Sequence, residues 1–237
     1  MKVKYIYLFL MLGLLVACDN ETIRVSDTIT SRELRFTGYS SLRVSNAFNV
    51  SVTYSETEES IRVEANENIQ DKISIAQEDG TLILKLAKNT NLRGDVTMNV
   101  FITTRDLRNF RASGASRIRL ENPLVAQQVQ IDLSGATNFT GEVEIGSLKL
   151  DADGASDLDV FGTIAILDAS LSGSSRVRDF DALVQRLKIE LSGASDAFLS
   201  VSETIDVRAS GASTLTYDGS AVIVKESLSG ASQITRR

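Results

Sequence analysis

Apolar and polar residues alternate along most of this chain, and the alternation is phased to a repeat. The tetrapeptide Ser-Gly-Ala-Ser and its near copies recur seven times, from Ser113-Gly114-Ala115-Ser116 to Ser229-Gly230-Ala231-Ser232. Their glycines are Gly114, Gly135, Gly154, Gly173, Gly193, Gly211 and Gly230, separated by 21, 19, 19, 20, 18 and 19 residues, a mean of about 19.3. Two residues before each glycine lie Ala112, Leu133, Ala152, Leu171, Leu191, Ala209 and Leu228. Four before lie Phe110, Ile131, Leu150, Ala169, Ile189 and Val207, with Glu226 breaking the series. Six before lie Val129, Leu148, Leu167, Leu187, Ile205 and Val224, with Arg108 as the exception. Four after lie Ile118, Phe139, Leu158, Val177, Ala197, Leu215 and Ile234.

Spacing by two is the signature of a strand with one buried face. Residues between the apolar ones, such as Asp132, Asp151, Glu190 and Arg208, are expected to face water. A period near 20 residues indicates a solenoid. Leucine-rich repeats have similar periods, but they need a helical segment in each unit, and alternation occupies that place here. The pattern predicts an all-β, single-stranded parallel β-helix, right-handed, with 19–20 residues per coil. Coils stacked at strand spacing, about 4.8 Å, would make seven coils roughly 35 Å long. The glycine of each coil permits a corner with positive φ. The flanking Ser and Ala are small enough to stack there, and Ser hydroxyls can satisfy the turn's backbone groups.

Residues 33–108 repeat less regularly but still read as strands, including Leu42-Arg43-Val44, Phe48-Asn49-Val50-Ser51-Val52, Ile61-Arg62-Val63 and Leu82-Ile83-Leu84-Lys85-Leu86. Gln77-Glu78-Asp79-Gly80 is a hairpin signal. This part is expected to form early coils with longer insertions that cover one end of the array. Solenoid ends need covering because open edges pair with other chains. Thr235-Arg236-Arg237 are expected to blunt the other end. One continuous core over 33–237, divided into irregular coils (33–108) and regular ones (109–237), is preferred to two domains.

Composition narrows the chemistry. The 237 residues include no His, no Trp, one Pro and one Cys. No His-based general base, Ser-His-Asp or Cys-His triad, or His-ligated metal is available. No disulfide can form within the chain. The formal charge is −6, with 25 Lys plus Arg against 31 Asp plus Glu and no basic run, which points away from nucleic acid.

The first residues read as an address. Lys2 and Lys4 precede an apolar run over 6–16, too short to span a bilayer and the right size for a secretory signal. The run ends Leu15-Val16-Ala17-Cys18, which looks like a bacterial lipobox. The reading is a lipoprotein signal peptide over 1–17 with lipidation of Cys18, the chain's single cysteine. The membrane is then a partner through the anchor at Cys18. Removing the two lysines takes the charge to −8. Residues 18–32 are expected to be the lipidated Cys and a polar tether.

Candidate chemistry is sparse. Asp151, Asp153, Asp157 and Asp159 surround a glycine turn and form a weak candidate for calcium, although EF-hand spacing fails because Gly162 stands where the twelfth ligand should be. A solvated acidic corner is the favoured reading. β-Helices also carry polysaccharide-active sites built on two carboxylates. Asp132 with Asp151, or Asp157 with Asp196, are the pairs to consider, and Asp132 and Asp151 are expected to be out of strict register. The repeated serines are read as corner residues, since a nucleophile is needed once and a corner in every coil. No catalytic residue, metal or cofactor is assigned.

Three stretches, Phe48-Asn49-Val50-Ser51-Val52, Thr81-Leu82-Ile83-Leu84-Lys85 and Leu107-Arg108-Asn109-Phe110-Arg111-Ala112-Ser113-Gly114-Ala115, followed by the later Ser-Gly-Ala-Ser coils, resemble the family described as putative auto-transporter adhesin, head GIN domain. The likeness runs over about 42–237. Members are mostly secreted or lipid-anchored proteins of Gram-negative bacteria. The resemblance implies a β-helix and supplies no catalytic residues. The expectation is an outer-membrane lipoprotein facing the periplasm or the cell surface, with a non-catalytic, adhesin-like module for a protein or glycan ligand. A structural spacer and, less favoured, a polysaccharide lyase or glycoside hydrolase are the alternatives.

Overall fold

The computed structural model describes residues 21–178 and 180–237. The expected signal peptide over 1–17 and Cys18 lie outside the described residues. From Asn109 onward the chain winds as a parallel β-solenoid of about seven turns. Every coil returns beside the one before it: Gln128–Leu133 pairs in parallel with Ser147–Ala152, which pairs with Ile166–Leu171, and so on to Val222–Leu228. Three faces result. The first holds the residues before each glycine. The second holds those after it, as in Asn138–Thr140 beside Asp157–Asp159. The third holds segments such as Val143–Ile145 beside Gly162–Ile164.

The alternation is the core. The residues two, four and six before each glycine, and four after it, are buried in every coil up to Leu215, apart from the exposed Arg108. Phe110 and Phe139, from adjacent coils and different faces, meet edge-on inside with centroids 5.0 Å apart. The last coil differs. Val224, expected inward, is 62% exposed, because a bulge between Ile223 and Lys225 shifts the register and Ile223 takes the place beside Ile205.

The corners explain the tetrapeptide. Each corner glycine has φ between +71° and +82°. Its carbonyl accepts the N–H that follows the next glycine: Ala155 N donates to Gly135 O (2.6 Å) and Ser174 N to Gly154 O (2.7 Å). A Cβ on Gly154 would sit 2.5 Å from the Gly135 carbonyl oxygen, so coils can stack this closely only through glycine. The residue two further on is a Ser or Thr, buried in every coil but the last, and in most coils its hydroxyl donates to the carbonyl three residues back, as in Ser195 Oγ to Ser192 O (2.8 Å) and Ser213 Oγ to Ser210 O (2.9 Å).

The N-terminal part covers the start of the array, but its strands are not stacked in chain order. The coil formed by Ser41–Val44 and Asn49–Tyr54 lies between the regular array and the later strands Thr81–Leu86 and Met98–Thr104. Antiparallel strands extend the sheets: Ser60–Asn66 on Met98–Thr104, Ile29–Leu34 on Ser60–Asn66, and Ile73–Glu78 on Thr81–Leu86. The last pair is the expected hairpin, with positive φ at Asp79 and Gly80. Ile69, on the short helical segment Glu67–Lys72, plugs the end of the core.

Residues 21–32 are not a tether. Glu21–Arg24 pairs in parallel with Thr90–Arg93, Ile29–Leu34 joins the cap, and Val25 is buried. Asn68 ties the connection by accepting from Ser26 N and donating to Arg24 O, both at 2.8 Å. An edge strand covered on one side needs little apolar alternation, which is why its composition reads as loop. Among the described residues the folded unit therefore includes 21–32, ahead of the boundary expected at 33.

Candidate binding grooves

Parallel pairing without insertions brings equivalent residues of successive coils into columns about 4.8 Å apart. The column three residues before the glycines runs Arg43, Arg111, Asp132, Asp151, Ser170, Glu190, Arg208 and Ser227. Asp132 and Asp151 are thus direct neighbours, which corrects the out-of-register expectation: each lies three residues before its own glycine. A second column, one residue before the glycines, is mainly Ser with one substitution, Asp153. The space along these two columns is a groove of about 510 Å³ running from Arg111 to Ser229.

The groove's charges are mostly matched. Arg111 holds Asp132 at 2.8 Å and Arg208 holds Glu190 at 2.9 Å, one pair toward each end. Between them, Asp151 stands 3.5 Å from Lys149 on its own strand. Asp153 accepts from the Ser172 hydroxyl at 2.8 Å, and that bond, followed by the Gly154 N–H, holds its carboxyl below the usual range. The column five residues before the glycines alternates in sign from Lys149 on. Lys149, Asp168, Lys188, Asp206 and Lys225 stack in order, and Lys188 contacts Asp168 at 2.9 Å. That bond raises the Lys188 pKa.

The four acids suggested for calcium fall on different faces. Asp151 and Asp153 line the groove, whereas Asp157 and Asp159 belong to the second face, across the corner. Asp157 is bonded to Arg178 at 3.1 Å. Among the described residues no group of three or more potential metal ligands converges. The pair Asp157 and Asp196 is split by Arg176, which stacks between them and lies 3.7 Å from Asp196.

A second groove, about 880 Å³, lies along the third face and differs in chemistry. Val125 and Leu183 are 67% and 57% exposed in its wall, with hydroxyls from Thr163, Ser200 and Ser202 between, and Glu144 is the single charged residue lining it. Sequence reasoning missed this face, because its residues sit at varying distances from the glycines.

A capped parallel β-solenoid with charged columns on two faces and a nearly neutral groove on the third is a scaffold for contact along its length. The family model described as putative auto-transporter adhesin, head GIN domain, matches residues 38–221, and the chain belongs to that family. Solved structures share the fold. A putative adhesin from Bacteroides fragilis superposes with a TM-score of 0.84 at 22% identity, covering 91% of this chain and all of that one. A putative lipid binding protein from Parabacteroides distasonis gives 0.71 at 15% identity, covering 92% of this chain and 100% of the other. A putative adhesin from Parabacteroides merdae gives 0.69 at 14%, covering 91% and 99%. No curated protein matches the chain.

Proposed function

We infer that this protein is a lipid-anchored module of the bacterial envelope that binds a protein or glycan partner, without catalysis, along the grooves of its solenoid. Membership of an adhesin-described family over 38–221 carries the reading. The length of the polar groove supports it, because a surface running over several coils suits an extended partner. The lipobox ending at Cys18 supports attachment to the outer membrane, with residues 1–17 removed as the signal. The adjacent acids Asp132 and Asp151 are the best case for hydrolysis, but Asp132 is engaged by Arg111 through two nitrogens, a structural ion pair within the column. The proposed ligand surface therefore recognises rather than cleaves.

Protease shaving of intact cells tests the surface reading. Release of solenoid fragments from intact cells is expected. Resistance until the cells are permeabilised would overturn the adhesin role in favour of a periplasmic spacer. Glycan and protein arrays run beside a turnover screen test recognition, and turnover lost in Asp132→Asn would overturn the non-catalytic reading.

A further inference from the structure

The inward slot four residues before the corner glycine holds Phe110, Ile131, Leu150, Ala169, Ile189 and Val207, all buried. In the last coil the residue there is Glu226, paired with Val207 in the ladder and exposed. This coil is also the last that the described residues form. Val222–Leu228 and Gln233–Arg236 are paired on one side only among the described residues, by Thr204–Ala209 and Thr214–Tyr217. Val222, Val224 and Leu228 are 64%, 62% and 40% exposed. An apolar strand edge of this kind is a template for another strand. The nearest available strand of matching pattern is the same edge on a second copy.

We propose that Glu226 is a charge gate that prevents the open edges of two copies of this chain from pairing end to end. Two such edges related by a two-fold axis would meet antiparallel. Side chains facing one another across an antiparallel pair point to the same side. Every register that keeps the apolar side inward therefore places Glu226 inside the joint core. It lies opposite Leu228 or Ile223 of the second copy, or opposite that copy's own Glu226. The first two arrangements bury an unpaired carboxylate, and the third sets two like charges face to face. Inward-pointing charge on an edge strand is a known protection against such pairing. The opposite end needs no such device at its core, because Ile69 and the antiparallel strands cover it. The proposal stands apart from the ligand-binding reading, since neither groove contains Glu226.

The test compares the full chain, purified in detergent, with Glu226→Leu by light scattering corrected for the micelle. Wild type is expected to remain monomeric. Glu226→Leu is expected to associate at least about a hundredfold more tightly, as removal of an unpaired buried charge implies. The double variant Glu226→Leu, Leu228→Lys moves a charge to the next inward slot and should restore the monomer, with thermal melts confirming that all three chains are folded. A folded Glu226→Leu chain that stays monomeric, wild type that associates equally well, or a double variant that still associates would each overturn the proposal.

Discussion

Replacing Gly154 by Ala tests whether the corners limit how closely the coils stack. The backbone at Gly154 has φ +80°, and the new Cβ would lie 2.5 Å from the Gly135 carbonyl oxygen and 3.0 Å from its nitrogen. Holding an L-residue in the left-handed region costs about 1–2 kcal/mol. The overlap is with backbone, so no rotamer relieves it and the two coils must part. Parting stretches Ala155 N to Gly135 O, now 2.6 Å, and Asp153 N to Leu133 O, now 2.9 Å. Each bond is worth about 1 kcal/mol net, which brings the loss to about 3–4 kcal/mol, a large share of a typical domain's stability. Gly38 supplies the control. It has φ +71° with nothing within 4 Å of an added Cβ, so Gly38→Ala should lose the conformational part alone, about 1–2 kcal/mol. Urea unfolding followed by far-ultraviolet circular dichroism, with slopes checked for a single transition, reads the difference. Equal losses in the two variants would refute the reasoning, since backbone conformation would then account for everything.

Ser195→Ala should cost about 1–2 kcal/mol by stranding the Ser192 carbonyl, whereas Ser175→Ala should be near neutral, because the Ser175 hydroxyl is buried without a partner; denaturant midpoints of the two variants would reveal any reversal of that order. Phe139→Ala removes a fully buried ring packed on Phe110 and should cost about 3–5 kcal/mol in the same assay, a loss below about 1 kcal/mol being incompatible with the core described. The Ser172 hydroxyl, then the Gly154 N–H, depress the Asp153 pKa below its ordinary 3.8. A folded value below the unfolded one stabilises the protein above the ordinary carboxylate range, and that contribution is lost as pH falls through the depressed value. Carboxyl NMR should show Asp153 titrating higher in Ser172→Ala, and an unchanged midpoint would contradict the assignment.

The regular half of the fold is legible because side-chain direction in a strand has period two and corner geometry demands glycine. Leu148, Leu150 and Ala152 could be placed inward without coordinates, and they are buried. Asn46 shows how far that logic extends. Ser45-Asn46-Ala47-Phe48 occupies the same corner one coil before Gly114, with φ +79° at Asn46 and its carbonyl accepting Ala115 N at 2.6 Å. An asparagine is tolerated because no corner carbonyl lies beneath it, and its side chain instead accepts Leu86 N at 2.9 Å. Alignment of Ser-Asn-Ala with Ser-Gly-Ala, and of Leu42 and Val44 with the inward positions, was the available signal. The third face was hidden because variation in repeat length is absorbed there. Gly162 pairs with Ala182, eight and nine residues after their glycines, and the register shifts between Val184 and Arg186. Of the candidate site, the acids of the polar groove were named from the sequence, but their partners were not. Arg111 with Asp132 and Arg208 with Glu190 are contacts between coils, fixed by register.

By itself the sequence determined the class of fold, the inward faces and the corners. These follow from local rules: alternation on a strand, positive φ at glycine, and small residues where backbones approach closely. Tertiary structure decided how the irregular half is threaded, with Ser41–Tyr54 inserted between strands that follow it in the chain and the array. It decided that residues 21–34 belong to the fold, and that Asp151 and Asp157, six residues apart, face different sides of a corner. The physical reason is the same in each case. Local sequence fixes which way a side chain points from its own strand, while its neighbours are set by pairing between segments distant along the chain, where a shift of one residue reverses the outcome.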